Sequence, residues 1–219
     1  MNFITQKEVD IPIGSLSVQG SFVLPKENNG IVIFSHGSGS SRYSRRNQMV
    51  AKKLNEHNFG TLLFDLLTEE EDQIYENRFD IDLLAKRLMI VTEWVKKHPS
   101  TKNHAIAYFG ASTGAASALM AASKIKEISA IVCRGGRPDL AMNLLPKVSA
   151  PTLLIVGSLD QDVLSLNRLA FDKLVSVKQI EIIQGASHLF EEPGKMEIVS
   201  SLACSWFEKY LQPVEITNS

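Results

Sequence analysis

Three residues whose side chains can together cleave an acyl bond occur along the chain in the order serine, aspartate, histidine. Ser112 is the centre of the pentapeptide Gly110–Gly114, which fits the pattern G-x-S-x-G, and Asp160 and His188 follow it. A serine hydroxyl is a weak nucleophile that needs a neighbouring base, and the base needs a group that orients it. The three residues therefore predict a nucleophile, an orienting acid and a base.

Each of these residues comes shortly after an apolar run that is typical of a buried strand. The three runs are Ala105–Phe109, Pro151–Val156 and Gln179–Ile183. The carboxyl ends of parallel strands meet at one edge of a sheet, so we expect the three side chains to converge there. The Ala-rich run Ala115–Ile125 predicts a helix directly after Ser112. A tight strand-to-helix turn would push the Ser112 hydroxyl out above the sheet.

The same chemistry requires backbone N–H groups that hold the negative oxygen of the reaction intermediate. The residue after the nucleophile, Thr113, is one expected donor. The second is expected in the loop after the strand-like run Gly30–Ser35, which continues as His36-Gly37-Ser38-Gly39. We expect the Ser38 N–H to be that donor.

Other assignments of these residues are also open. Ser112 suits a helix N-cap, and His188 suits a loop histidine that is hydrogen-bonded to backbone. Asp162 lies close enough to Asp160 in sequence to compete as the orienting acid, and Asp65 is a further rival whose alternative role is a turn or cap. We assign the base to none of the other histidines.

Several arginines follow the expected strand ends and predict an anion-binding site. Arg42 follows the predicted oxyanion loop, and Arg134 and Arg137 follow the strand-like run Ile128–Val132. Convergent guanidinium groups would suit a carboxylate or phosphate on the substrate. The alternative is that they pair with nearby acids such as Asp139 or face water.

Apolar and helix-like runs alternate through most of the chain, which indicates an α/β fold. We expect a mostly parallel sheet with an antiparallel edge from Val9–Ile13 and Leu16–Leu24, with helices on both faces. We interpret the acidic run Glu69–Asp72 as a solvated loop. The space between Cys133 and Pro151 holds at most one short helix, about 139–145, so we expect little or no lid.

Composition narrows the class of protein further. A chain of 219 residues with 44% hydrophobic content is expected to form one domain over residues 1–219. The net charge of −1 and the lack of basic runs argue against nucleic acid, and no apolar run is long enough to span a membrane. A small-molecule substrate, a cytoplasmic location and a monomer or homodimer are therefore expected.

Neither metal nor organic cofactor is expected from the sequence. The spacing of Cys133 and Cys204 favours reduced core thiols, and the histidines show no ligand pair on one helix face. The segment Gly37-x-Gly39 also suggests a nucleotide loop. The third glycine of that motif would fall at Arg42, however, and no Gly-Lys-Ser/Thr follows.

The chain resembles the dienelactone hydrolase-like branch of the α/β-hydrolases, including small bacterial-type members whose relatives also occur fused to a phosphoribosyltransferase domain. The matching stretches are residues 36–42 (HGSGSSR), 110–114 (GASTG), 134–140 (RGGRPDL), 157–160 (GSLD) and 185–190 (GASHLF). The resemblance implies the α/β-hydrolase fold and a triad of Ser112, Asp160 and His188. Dienelactone hydrolases proper use a cysteine nucleophile, whereas this chain has Ser112.

The resulting prediction is a serine hydrolase that cleaves an ester of a small soluble substrate through an acyl-serine, with an anionic substrate if the arginines converge. Thioester hydrolysis, acyl transfer and peptide cleavage use the same residues. A hydrolase-like domain that only binds a ligand or partner is a further alternative.

Overall fold

An eight-stranded sheet organises the computed structural model, which describes residues 3–211 and the side chains from residue 7 onward. The strands are β1 Phe3–Ile13, β2 Leu16–Pro25, β3 Ile31–Ser35, β4 Gly60–Phe64, β5 Ile106–Ala111, β6 Ile128–Arg134, β7 Thr152–Gly157 and β8 Lys178–Ile183. Their order in the sheet is β1-β2-β4-β3-β5-β6-β7-β8. The β1–β2 and β2–β4 pairs are antiparallel and the others parallel, which confirms the predicted mixed sheet.

Six α-helices connect and cover the strands in the described part of the chain. They are α1 Arg45–Glu56, α2 Glu69–Asp72, α3 Ile81–Lys97, α4 Thr113–Lys124, α5 Gln161–Lys173 and α6 Lys195–Tyr210. None of the helices between residues 3 and 211 combines the length and the apolar character that a bilayer crossing requires.

Apolar side chains pack on both faces of the sheet. Leu88 of α3 and Leu119 of α4 belong to the core on one face, and Leu54 of α1 and Phe207 of α6 belong to the core on the other. Strands β3, β4, β5 and β7 are buried along their whole length. A strand that is covered on both faces has a continuous apolar sequence, which is why these runs stand out in the chain.

The acidic run is a short helix, and the prediction of a loop was wrong. Thr68 caps α2 by accepting from the Glu71 N–H, while the Glu71 carboxylate accepts from the Thr68 N–H, a capping box. Arg87 pairs with Glu71, and Arg78 pairs with Asp72 at 2.8 Å. The cap and these ion pairs offset the repulsion between neighbouring carboxylates.

The segment between β6 and β7 contains one helical element, as expected. It is longer than the predicted helix at about 139–145, and it is a 3₁₀ helix. Residues Pro138–Lys147 form a 3₁₀ helix that is kinked at Ala141. The helix contains Pro146, which has no N–H to donate and so prevents a regular α-helix. A second 3₁₀ helix, Tyr75–Phe79, lies between α2 and α3.

Candidate active site

Ser112 occupies the turn between β5 and α4 in a strained backbone conformation. Its φ and ψ are 52° and −121°, values that non-glycine residues rarely adopt. The Ser112 N–H donates to the Arg134 carbonyl at 3.2 Å, and the Ser112 carbonyl accepts from the N–H groups of Ala115 and Arg137, each at 3.1 Å. These bonds fix the turn, which is the geometry that exposes a nucleophilic hydroxyl.

Two glycines let the backbone approach this turn closely. A Cβ at Gly114 would lie 2.1 Å from the carbonyl oxygen of Ser35, and a Cβ at Gly37 would lie 3.0 Å from the Ser112 Cβ. Beneath the turn, the hydroxyls of Ser35 and Ser117 share a buried hydrogen bond of 2.7 Å. The end of β3 and the start of α4 are therefore held together by backbone contact that a side chain would disrupt.

Asp160 and His188 form a direct contact at the same edge of the sheet. The distance from His188 Nδ1 to Asp160 Oδ2 is 2.6 Å. Asp160 stands at the N-cap position of α5 but its side chain makes no capping bond, so its carboxylate is oriented toward the imidazole. The rival Asp162 is exposed in the first turn of α5, and the rival Asp65 pairs with Arg42.

The His188 ring lies against Gly135, which follows β6. A Cβ at Gly135 would be 3.5 Å from both His188 Nδ1 and Cε1, and Gly135 has a φ of 51° that favours glycine. In the part of the chain that the structure describes, Ser112 Oγ forms no hydrogen bond with His188. Such bonds are often long in the absence of substrate. The structure therefore contains the contact between Asp160 and His188 but no hydrogen bond between Ser112 and His188.

The two predicted oxyanion donors are adjacent but differ in their partners. The Ser38 N–H donates to the Thr113 Oγ1 at 2.8 Å. Thr113 is the first residue of α4, so its own N–H has no carbonyl within the helix to bond. The sequence predicted a role for the Thr113 N–H only. The role of its hydroxyl as the acceptor for the Ser38 N–H was not predicted.

His36 holds the loop that carries Ser38. Its Nδ1 lies 2.9 Å from the Gly37 carbonyl, and its Nε2 accepts from the Leu66 N–H at 3.1 Å. Nδ1 must therefore carry the proton, and the ring is neutral. Burial lowers the pKa of His36, although the Asp65 and Asp72 carboxylates oppose this change.

Two of the three predicted substrate-binding arginines are paired with acids. Arg42 pairs with Asp65 and, at 3.3 Å, with Glu8. The Arg137 guanidinium binds Asp139 through two hydrogen bonds of 2.8 and 2.9 Å. Their charges are thus already balanced within the protein, as the alternative interpretation expected.

Arg134 is different because its charge is buried without an acid beside it. The residue is 5% exposed, and its Nε has no hydrogen-bond acceptor. Burial, together with the positive charge of Arg46, lowers the pKa of Arg134 to about 10. The guanidinium carbon lies 5.9 Å from the centre of the Phe190 ring. Arg46 pairs with Glu191 at 2.8 Å, whereas no carboxylate pairs with Arg134 in the described structure.

A groove of about 720 Å³ lies beside the loop that carries Ser38, and its lining includes His36, Ser40, Asp65, Thr68 and Asp72. The lining also includes residues 15–19 at the start of β2, but it contains none of Ser38, Ser112 and Thr113. Cys133 and Cys204 are both free and buried.

Comparisons with known proteins agree with this architecture. A model of the alpha/beta hydrolase domain family matches residues 28–204. The crystal structure of a dienelactone hydrolase from Anabaena variabilis is 48% identical, with a TM-score of 0.92, over 95% of this chain and 99% of that one. Est1E from Butyrivibrio proteoclasticus shares the fold at 16% identity and a TM-score of 0.79, over 92% of this chain and 98% of its own.

A Mycobacterium tuberculosis protein, known from two strains, is 50% identical over 95% of this chain. Its name describes it as a provisional phosphoribosyl transferase. The chain spans about half, 47%, of that relative's length.

Proposed function

The chain belongs to the dienelactone hydrolase-like branch of the α/β-hydrolases, and we propose that it is a serine hydrolase cleaving an ester of a small soluble substrate. The observation that carries the proposal is the 2.6 Å contact between His188 Nδ1 and Asp160 Oδ2, at the sheet edge where Ser112 occupies a strained turn. An imidazole that is oriented by a carboxylate, at the same sheet edge as the half-buried Ser112, is the arrangement that can activate a hydroxyl.

In the proposed reaction, Ser112 Oγ attacks the ester carbonyl carbon while His188 Nε2 takes the hydroxyl proton. Asp160 keeps the other imidazole proton on Nδ1 and stabilises the imidazolium. The resulting oxyanion accepts from the Thr113 and Ser38 N–H groups. His188 then returns the proton to the departing alcohol, and the acyl group remains on Ser112. Water, deprotonated by the same imidazole, releases the acid and restores the serine.

This reaction requires the contact between Ser112 Oγ and His188 Nε2 to form when substrate binds. Catalytic hydrogen bonds that are long in the absence of substrate often tighten in the substrate complex. The proposal favours serine over cysteine as the nucleophile. Cys133 lies one strand away, and burial raises the pKa of its thiol to about 12, so it has no nucleophilic thiolate at neutral pH.

We further propose that the favoured ester carries an anionic group. The support is Arg134, a buried guanidinium without a carboxylate partner, whose backbone carbonyl accepts from the Ser112 N–H. A buried cation is costly unless it is paired, and a substrate carboxylate or phosphate would supply the missing partner. Arg42 and Arg137 contribute less to this preference because each is held by an acid.

A thioesterase or acyltransferase would use the same residues and differs only in the leaving group or acceptor. A binding module without activity would not require the contact between Asp160 and His188. For the longer Mycobacterium relative, we propose that its transferase name describes the half that this chain does not match, since the matched half fits a hydrolase domain.

Replacement of Asp160 by asparagine tests the proposal. The amide would keep the size of the side chain but donate to Nδ1 in place of accepting, which favours the wrong tautomer of His188. We expect kcat on a short-chain aryl ester to fall by about 10³ to 10⁴. Asp162→Asn is the matched control and should leave kcat within about twofold. Equal effects of the two substitutions would contradict the assignment of Asp160.

A further inference from the structure

Three side chains that suit a metal ion meet where the end of α1 packs against α6. His57 is the residue at which α1 ends, and Cys204 and Glu208 lie one turn apart on α6. Their ligand atoms all lie within 4.8 Å of one another. His57 Nδ1 is 2.7 Å from Glu208 Oε1, and Cys204 Sγ is 3.9 Å from the same oxygen.

This cluster is remote from Ser112 in the fold. Helix α1 runs from the loop after β3 back to the start of β4, so His57 lies near the amino-terminal edge of the parallel strands. The proposed catalytic residues lie at the opposite, carboxyl-terminal edge. An ion at His57 would therefore take no part in the proposed ester cleavage.

The set of ligand atoms points to an ion of the zinc class. Imidazole nitrogen, thiolate sulfur and carboxylate oxygen are the ligands of Zn²⁺ in proteins, whereas Mg²⁺ and Ca²⁺ prefer oxygen alone. Tetrahedral bonds of about 2.0–2.3 Å separate ligand atoms by roughly 3.3–3.5 Å. The distances of 2.7 and 3.9 Å lie on either side of that range, so small side-chain rotations would create a binding geometry.

The surroundings of the cluster also favour a cation. The Glu208 carboxylate adds negative charge 2.7 Å from His57 Nδ1. The carboxyl end of α1 adds partial negative charge at His57. Access from water is open, because the side chains of His57 and Glu208 are 36% and 48% exposed, while Cys204 is 2% exposed.

We propose that His57, Cys204 and Glu208 bind one zinc-class divalent ion, with water as the fourth ligand, and that the ion fastens α1 to α6. Binding breaks the S–H bond of Cys204 and forms a bond between sulfur and metal. The thiol proton leaves to water, and nothing is oxidised or reduced.

The experiment is a titration of the full chain with Co²⁺, whose bond to a thiolate gives a near-ultraviolet charge-transfer band, followed by displacement with Zn²⁺. We expect the band to saturate at one ion per chain and Zn²⁺ to abolish it. Cys204→Ser should remove the band, and His57→Gln or Glu208→Gln should weaken Co²⁺ binding at least tenfold. Zn²⁺ should raise the Tm of the wild-type chain and not that of His57→Gln.

His98→Gln is the matched control, because His98 also stands at the end of a helix, α3, but outside any such cluster in the described residues. This variant should bind Co²⁺ like the wild type. Absence of the band in the wild type, or His57→Gln binding as tightly as His98→Gln, would overturn the proposal. Cys204 is buried, so if Cys204→Ser does not fold, the more exposed His57 and Glu208 variants still decide the outcome.

Discussion

The backbone N–H of Ser38 donates a 2.8 Å hydrogen bond to the side-chain hydroxyl of Thr113. This bond joins the loop after β3 to the first residue of α4, and so connects the two groups proposed to hold the oxyanion. The Thr113 hydroxyl occupies the donor that the substrate oxygen would use. We propose that this bond holds the Ser38 loop against α4 in the absence of substrate, and that the Ser38 N–H exchanges the hydroxyl for the oxyanion during the reaction.

Replacement of Thr113 by Val should therefore reduce catalysis with little effect on the fold. Valine has nearly the same shape but accepts no hydrogen bond, so the Ser38 loop loses its link to α4. We expect kcat/KM to fall about fivefold, corresponding to about 1 kcal/mol for one hydrogen bond. The fall should lie in kcat more than in KM, and steady-state kinetics on an aryl ester will show the division.

Thr113→Ser keeps the hydroxyl and should retain most of the wild-type kcat. If the valine and serine variants were equally active, the hydroxyl would have no role in positioning the loop.

Substitution of Arg134 tests the preference for anionic esters. Arg134→Met keeps a long apolar side chain and removes the charge. We expect the ratio of kcat/KM for an anionic ester to that for a neutral ester to fall by about 10-fold or more, as for loss of a charged hydrogen bond. The Tm should stay the same or rise, because an unpaired buried charge is removed.

Arg137→Met is the control for Arg134→Met, because the charge of Arg137 is already paired with Asp139. It should change the ratio of anionic to neutral turnover less than Arg134→Met does. An unchanged ratio in Arg134→Met would contradict a role for this guanidinium in substrate selection.

His36 should make the fold sensitive to acid. Burial lowers its pKa from the ordinary value of 6.5, so as pH falls below 6.5 the unfolded chain gains a proton before the native chain does. The free energy of unfolding should therefore decrease as the pH falls below 6.5. Above pH 6.5, His36 should no longer make the free energy of unfolding depend on pH. Urea unfolding at about one pH unit above and below 6.5 measures the change.

His36→Gln should flatten this pH dependence. His98 has a pKa that is lowered by burial and by Lys7, but it is the more weakly buried of the two. His98→Gln should therefore remove a smaller share of the acid sensitivity. An acid slope that is the same in His36→Gln as in the wild type would exclude His36 as the source.

The sequence was enough to predict the sheet, because β3, β4, β5 and β7 are buried on both faces and have continuous apolar sequences. The ends of the strands were predicted less well, since β5 and β6 each extend two residues beyond the expected run, to Ala111 and Arg134. Parallel strands also predicted that Asp160 and His188 would approach each other, and their side chains are in contact. Features that depend on local geometry could be predicted only in part.

The capping box of Thr68 and Glu71 has a local signature, S/T-x-x-E, that was outweighed by the charge of its neighbours. Arg134 and Arg137 are close in sequence, yet one is buried and the other binds Asp139. This difference depends on the path of the backbone after β6, which the sequence alone does not specify. The cluster at His57 joins residues from two helices that are distant in sequence, so no spacing rule reveals it.

Labelling of the protein with a fluorophosphonate, followed by mass-spectrometric mapping of the adduct, tests whether Ser112 is an activated nucleophile. The reagent reacts much faster with a serine that a neighbouring base has activated than with an ordinary hydroxyl, and the stable adduct mimics the tetrahedral intermediate. We expect one adduct per chain on Ser112, which should be lost in Ser112→Ala and form much more slowly in Asp160→Asn. A folded wild-type protein that forms no adduct, or forms it at another residue, would exclude Ser112 as the nucleophile.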